Sequence, residues 1–185
     1  MTGIAALWLP ILLSAVFVFL ASSVIHMATP WHKGEFPAPP RQDDLQAAIR
    51  PFNLPPGEYA LPRPADMKEM QAPEFQEKLR QGPVIYMTVL PNGPMTMGGA
   101  LAQWFVYCIV VGFVAAYVAG RTIAPGAEYM QVFQVASVTA FAGYALALWQ
   151  GAIWYKRSIG TTVRHTIDSG IYAMLTGGVL GWLWP

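Results

Sequence analysis

The sequence predicts an all-α membrane protein: four transmembrane helices with a small Pro-rich α/β insert between helices one and two. Three observations predict it. Hydrophobic residues make up 55% of the 185 and charged residues only 11%, against about 25% charged in soluble domains. The charges are segregated, so that four long apolar windows remain. Thirteen of the sixteen prolines fall in one polar stretch. The expected organisation is therefore a first helix in residues 1–28, an extramembrane insert in 29–98, and three more helices in 99–185.

Helix one is expected over residues 4–24. Pro10 sits near its start, where the first-turn amides lack helical partners anyway. The window lacks the basic residues that precede a signal peptide's apolar core, and its apolar run is too long for one. Pro30 stops the helix, and Trp31 and Lys33 suit a membrane–water boundary.

The insert accommodates two short helices. One is capped by Asp43 or Asp44 and presents Leu45, Ala48 and Ile49. The other starts with Pro73 at its first position, after an irregular turn, pairs Glu74 with Lys78, and stops at Gly82-Pro83. Residues 84–90, rich in β-branched and aromatic side chains, predict a strand, and residues 57–61 a weaker one. Eight acidic and seven basic residues nearly cancel across the insert, so it is no polybasic arm. Nor does the net charge of +1 offer nucleic acid a basic surface.

Helix two is expected over residues 99–120, helix three over 129–153 and helix four over 166–184. Each is long enough to cross about 30 Å of hydrocarbon. Small residues recur every fourth position: Cys108, Gly112, Ala116 and Gly120; Thr139, Gly143, Ala147 and Gly151; Ser169, Ala173, Gly177 and Gly181. Spacing of four places each set on one helical face, and small side chains let backbones approach closely in lipid. Helices three and four should thus form a tight antiparallel hairpin around the basic turn at Lys156 and Arg157. The single cysteine, Cys108, excludes an intrachain disulfide.

Four crossings place both termini on one side. The other side carries ten of the eleven Lys and Arg residues. The positive-inside rule then puts the insert in the cytoplasm and both termini in the periplasm.

One constellation could carry chemistry. All three histidines fall on the insert side, and His165 lies three residues before Asp168, on one helical face with it. His26 sits at about the depth of Asp168. Imidazole and carboxylate both suit divalent metals, so His26, His165 and Asp168 are the candidate metal ligands, and His26 with His165 could hold a haem iron. His32 is six residues from His26 across a proline, which matches no established metal spacing. The structural alternative is an Asp168 held by the helix dipole and a neighbouring cation. No nucleophile–base pair, phosphate loop or zinc motif is present, so no enzymatic activity is expected.

Several landmarks resemble a family of uncharacterised bacterial four-helix integral membrane proteins, across almost the whole chain. They are Ile25-His26-Met27 leading to Pro30-Trp31-His32-Lys33, Pro56-Gly57-Glu58-Tyr59, Gly82-Pro83-Val84, Ala116-Tyr117-Val118-Ala119-Gly120-Arg121, and the ending from Ile167-Asp168-Ser169 to Gly181-Trp182-Leu183-Trp184-Pro185. The resemblance implies a bacterial inner-membrane protein and supplies no activity.

The leading functional expectation is an accessory or scaffolding component in the lipid bilayer. Its small-residue faces would assemble with another copy or a larger membrane complex. The alternative is a metal- or haem-binding redox or transport component built on His26, His165 and Asp168. A small channel or transporter comes third, because few polar positions line any one helical face.

Overall fold

A computed structural model of the chain describes residues 2–185. It divides into two compact units, residues 1–36 with 96–185, and residues 37–95. The first is helical. It comprises α1 (Ile4–Ala28), and later in the chain α5 (Gly98–Thr122), α6 (Tyr129–Tyr155) and α7 (Ile159–Trp182). The second holds α2 (Gln42–Ile49), α3 (Met67–Gln71), α4 (Pro73–Gln81), β1 (Gly57–Leu61) and β2 (Ile85–Val89).

In the smaller unit, β1 and β2 pair antiparallel, with Gly57 opposite Val89 and Leu61 opposite Ile85. Pro73 opens α4, and Gly82, at φ +58°, closes it. Phe75 is the buried anchor of that helix. Three local expectations change. Asp43 and Asp44 lie within the first turn of α2 rather than at its cap, which is Arg41 in a left-handed conformation. The stretch before α4 is not irregular, because Asp66 accepts a hydrogen bond from the Glu69 amide and nucleates α3. The ion pair on α4 joins Arg80 to Glu77 at 2.8 Å.

In the helical unit, α1, α5 and α6 are long and apolar enough to cross a membrane, by length and composition. The expectation of four such helices is corrected here. α7 spans 24 residues, but Arg164, His165, Asp168 and three threonines make its first half too polar to qualify. It also starts at Ile159 rather than in the middle of the 160s. The Ser158 hydroxyl accepts from the Thr161 amide, and Thr162 Oγ1 donates to Ser158 O, so the polar turns before the apolar run are already helical.

The helices pack as antiparallel neighbours. α1 and α5 are tied at one end by Thr2 N donating to Gly120 O, 3.0 Å, and at the other by Trp104 Nε1 donating to Ser22 Oγ, 2.8 Å. α6 and α7 run past each other from Tyr129 beside Gly181 to Tyr144 O beside Ser169 Oγ. The C-terminal residues close on the α5–α6 connection. Gly126 N donates to Pro185 O at 2.7 Å, and Trp184 Nε1 to Ala124 O at 2.9 Å.

Small residues decide where these contacts are closest. On α5, Cys108, Gly112, Ala116 and Gly120 are buried. A Cβ at Gly112 would stand 3.0 Å from Ser14 Oγ of α1. On α7, Ser169, Ala173, Gly177 and Gly181 are buried. A Cβ at Gly177 would collide with Ser137 Oγ of α6 and stand 2.8 Å from Phe133 O.

The third stripe behaves differently. α6 meets the α7 glycines through Tyr129, Phe133 and Ser137, and buries Val132, Ala136 and Ala140. Ala147 is exposed, Gly143 faces Val111 of α5, and Gly151 faces Arg157. A π-helical turn at Ala142–Leu146 inserts extra backbone, so a four-residue spacing carried across it does not stay on one face.

Candidate metal centre

The first helix does not end where its apolar run ends. It continues through a π-helical turn at Val24–Ala28, then enters extended Thr29 before Pro30. Extended backbone before a proline is what sterics require. The π turn presents His26, whose Nδ1 lies 3.0 Å from Ser22 O. Past Pro30 the chain turns back, with Lys33 N donating to Pro30 O and Glu35 N to His32 O. Residues 29–36 therefore fold with the helices, not with the insert to which their prolines and charges pointed.

This turn carries Trp31, His32 and Glu35 onto α7. Trp31 Nε1 donates to Asp168 Oδ1 at 3.0 Å, and Arg164 donates to Trp31 O at 3.3 Å. The His32 ring stacks on His26 at 4.1 Å between centroids and on His165 at 4.9 Å. His26, His32, His165 and Asp168 each offer one ligand atom, and those four atoms lie within 4.8 Å of one another. Four donors around zinc at about 2.0–2.2 Å would stand roughly 3.4 Å apart. A sub-ångström movement of the donors toward the centre closes the difference.

The hydrogen bonds assign a role to each ring nitrogen. Glu35 spans two imidazoles, with Oε1 at 2.7 Å from His32 Nδ1 and Oε2 at 3.2 Å from His165 Nε2. Together with Ser22 O at His26 Nδ1, every histidine thus has an oxygen within 3.2 Å of one nitrogen, and in the neutral tautomers that these oxygens favour the proton sits there. The other nitrogens, His26 Nε2, His32 Nε2 and His165 Nδ1, keep lone pairs. His165 Nδ1 lies 4.0 Å from Asp168 Oδ2, and His32 Nε2 lies 2.9 Å from it. His32 Nε2 and Asp168 Oδ2 are both buried and make no aligned hydrogen bond, so their 2.9 Å approach is an ion pair when His32 is protonated. With His32 neutral and its proton on Nδ1, the two atoms turn lone pairs toward a common space, which suits a cation.

Asp168 is 2% exposed. A carboxylate so buried is costly unless paired, and the Trp31 indole serves only one of its two oxygens. Burial pushes the Glu35 carboxyl up, but the hydrogen bond from His32 and the charges of His165, His32 and Arg164 outweigh it. The net position lies below the ordinary glutamate value. Glu35 is therefore the ionised outer carboxylate that metal-bound histidines commonly use to hold their orientation.

The structure thus brings the three residues singled out from sequence, His26, His165 and Asp168, into one cluster. It adds His32 as a fourth donor and Glu35 and Trp31 as supports. A haem does not fit: the three rings stack on one another, leaving no slot for a macrocycle between two axial imidazoles.

No protein-family model matches the chain, and no curated protein or solved structure matches it. The family resemblance therefore gains no support from these comparisons, and the site has to be understood from its own geometry.

Proposed function

We propose that this chain is an integral membrane protein holding a divalent first-row transition metal at one membrane boundary, as a metal-dependent redox or transport component. The observation that carries the reading is the four-residue donor set, in which His32 Nε2 and Asp168 Oδ2 are buried 2.9 Å apart without a hydrogen bond. Three imidazoles and one carboxylate suit zinc, iron, copper or nickel and disfavour calcium or magnesium, which take oxygen donors. Bound there, such an ion supplies Lewis acidity or, if redox-active, one-electron chemistry. The chain's residues orient it: Glu35 holds His32 and His165, Ser22 O holds His26, and Trp31 holds Asp168.

The scaffold reading rested on small-residue stripes. Those of α5 and α7 pack against α1 and α6 inside the same chain, so they no longer supply faces for another copy or a larger complex.

In this reading α7 also crosses the bilayer, giving four crossings, since it runs alongside α6 over their shared length. The excess of Lys and Arg on the insert side supports an orientation with the insert in the cytoplasm of a bacterial cell and both termini across the inner membrane.

The test is metal content and Co2+ uptake by protein purified gently from its native membrane. About one ion per chain is expected, with visible bands from low-symmetry Co2+ and no haem absorption. His32→Ala and His165→Ala should each abolish stoichiometric uptake. A metal-free preparation that takes up neither Zn2+ nor Co2+ while folded would sink the proposal.

A further inference from the structure

Beside the histidine cluster lies a cleft of about 570 Å³, lined by residues of α1, α5, α6 and α7. Its lining is divided. At one end are His26, His165 and Asp168 of the proposed metal centre. Along one wall stand Trp104, Tyr107, Tyr144 and Tyr172. The Trp104 ring lies 6.1 Å from Tyr144 and 5.9 Å from Tyr172, and the two tyrosines are 5.7 Å apart. The remainder is aliphatic and thioether, including Met27, Leu101 and Leu148. Met27 and Leu148 are also exposed on the helix surface, so the cleft opens sideways onto the faces that contact lipid when these helices span a membrane.

Polar groups lie just behind the cleft lining. Tyr144 and Tyr172 are 6% and 4% exposed; the Tyr144 hydroxyl lies against Cys108 and Thr176, whereas the Tyr172 hydroxyl and Asp168 Oδ2 are buried with no hydrogen bond. Buried phenols and carboxylates are normally satisfied, and unsatisfied ones mark a missing partner. Both π-helical turns of the helical unit border this space, one carrying His26 and Met27, the other Tyr144. Turns of that kind concentrate at functional sites.

We infer that the cleft binds a membrane-soluble quinol or quinone, its ring against the aromatic wall and its head oxygen at the histidine–aspartate end. The inference deepens the metal-centre reading and rests on it. A flat ring with apolar surroundings matches the four aromatic side chains. The head oxygen of either form would accept from the Tyr172 hydroxyl and face the histidine–aspartate end of the cleft, where a bound metal would supply Lewis acidity. The alkyl tail follows Leu101, Met27 and Leu148 outward to lipid. A phospholipid is a poorer occupant, because its headgroup offers no flat ring to the aromatic wall.

The probe is a decyl-substituted benzoquinol, titrated into Co2+-loaded full-length protein in nanodiscs, with decanol as the tail-only control. Saturable binding at one site per chain is expected, with a change in the Co2+ spectrum and no comparable binding of decanol. Leu101→Trp should fill the cleft and weaken quinol binding at least 10-fold while Co2+ uptake stays unchanged. Tyr172→Phe, which keeps the ring and removes the hydroxyl, should weaken it measurably and serves if Leu101→Trp misfolds. Normal Co2+ loading with no saturable quinol binding, or with decanol bound equally well, overturns the inference and leaves the metal centre standing. Failure of the wild-type protein to take up Co2+ overturns the metal centre, and the quinol site with it.

Discussion

Glu35 shows how much of this centre depends on residues that would never touch the ion. Its two oxygens reach one nitrogen on each of two histidines, by a hydrogen bond to His32 and an ion-pair contact to His165, so it steadies both rings. Glu35→Gln keeps the size and loses one acceptor and the charge. Replacing such outer carboxylates costs about 10–100-fold in metal affinity. That is the loss expected in competitive Zn2+ titration of Glu35→Gln, with helix content unchanged by circular dichroism. An affinity within twofold of wild type would mean that Glu35 is a solvated neighbour and not a support.

The residue scale is also where the sequence was least legible. The depth argument found His26, His165 and Asp168, because helix position can be counted from an apolar run. His32 was set aside since six residues and a proline separate it from His26. Metal spacings presume regular backbone, and here a π turn and the reversal after Pro30 replace it. Trp31 and Glu35 carried one usable signal: Glu35 follows His32 by three residues just past a helix stop, a spacing that one turn of chain brings together.

Among elements, the α6–α7 pair is the tightest contact and the most sensitive. Gly177 leaves room only for a hydrogen where Ser137 and the Phe133 carbonyl pass. Gly177→Leu must push the helices apart, and overpacking a close contact costs about 1–3 kcal/mol or more. The expected outcome is loss of the folded monomer, read as a lowered thermal midpoint and loss of Co2+ uptake in detergent. Gly143→Leu should be far milder, since its nearest neighbour is the Val111 side chain at 3.2 Å and Gly143 itself is exposed. Equal tolerance of both substitutions would refute this packing. The stripes on α5 and α7 were legible because nothing interrupts those helices before the contact. The one on α6 was not, because no residue pattern announced the π turn at Ala142–Leu146. The early start of α7 escaped for a related reason: apolar periodicity marks the buried part of a helix and is silent about polar turns before it.

For the whole molecule the open quantity is how many times the chain crosses the bilayer, and the structure turns it into a measurable difference. Composition alone qualifies α1, α5 and α6. Three crossings would leave residue 185 on the same side as the Lys156 turn. Four would carry it to the side of the α5–α6 connection, where Gly126 and Ala124 already bond the last two residues. Those two hydrogen bonds favour four. Single cysteines at Asn92, Ala124 and Pro185 in a Cys108→Ala background report the sides through an impermeant maleimide. With four crossings and the insert inside, Ala124→Cys and Pro185→Cys react in intact cells, and Asn92→Cys reacts only after lysis. Protection of Pro185→Cys together with Asn92→Cys until lysis, with Ala124→Cys still reactive, would instead leave α7 lying on one side. The histidine cluster would then be anchored to a helix that never enters the membrane, and the lateral route for a lipid-soluble ligand would close.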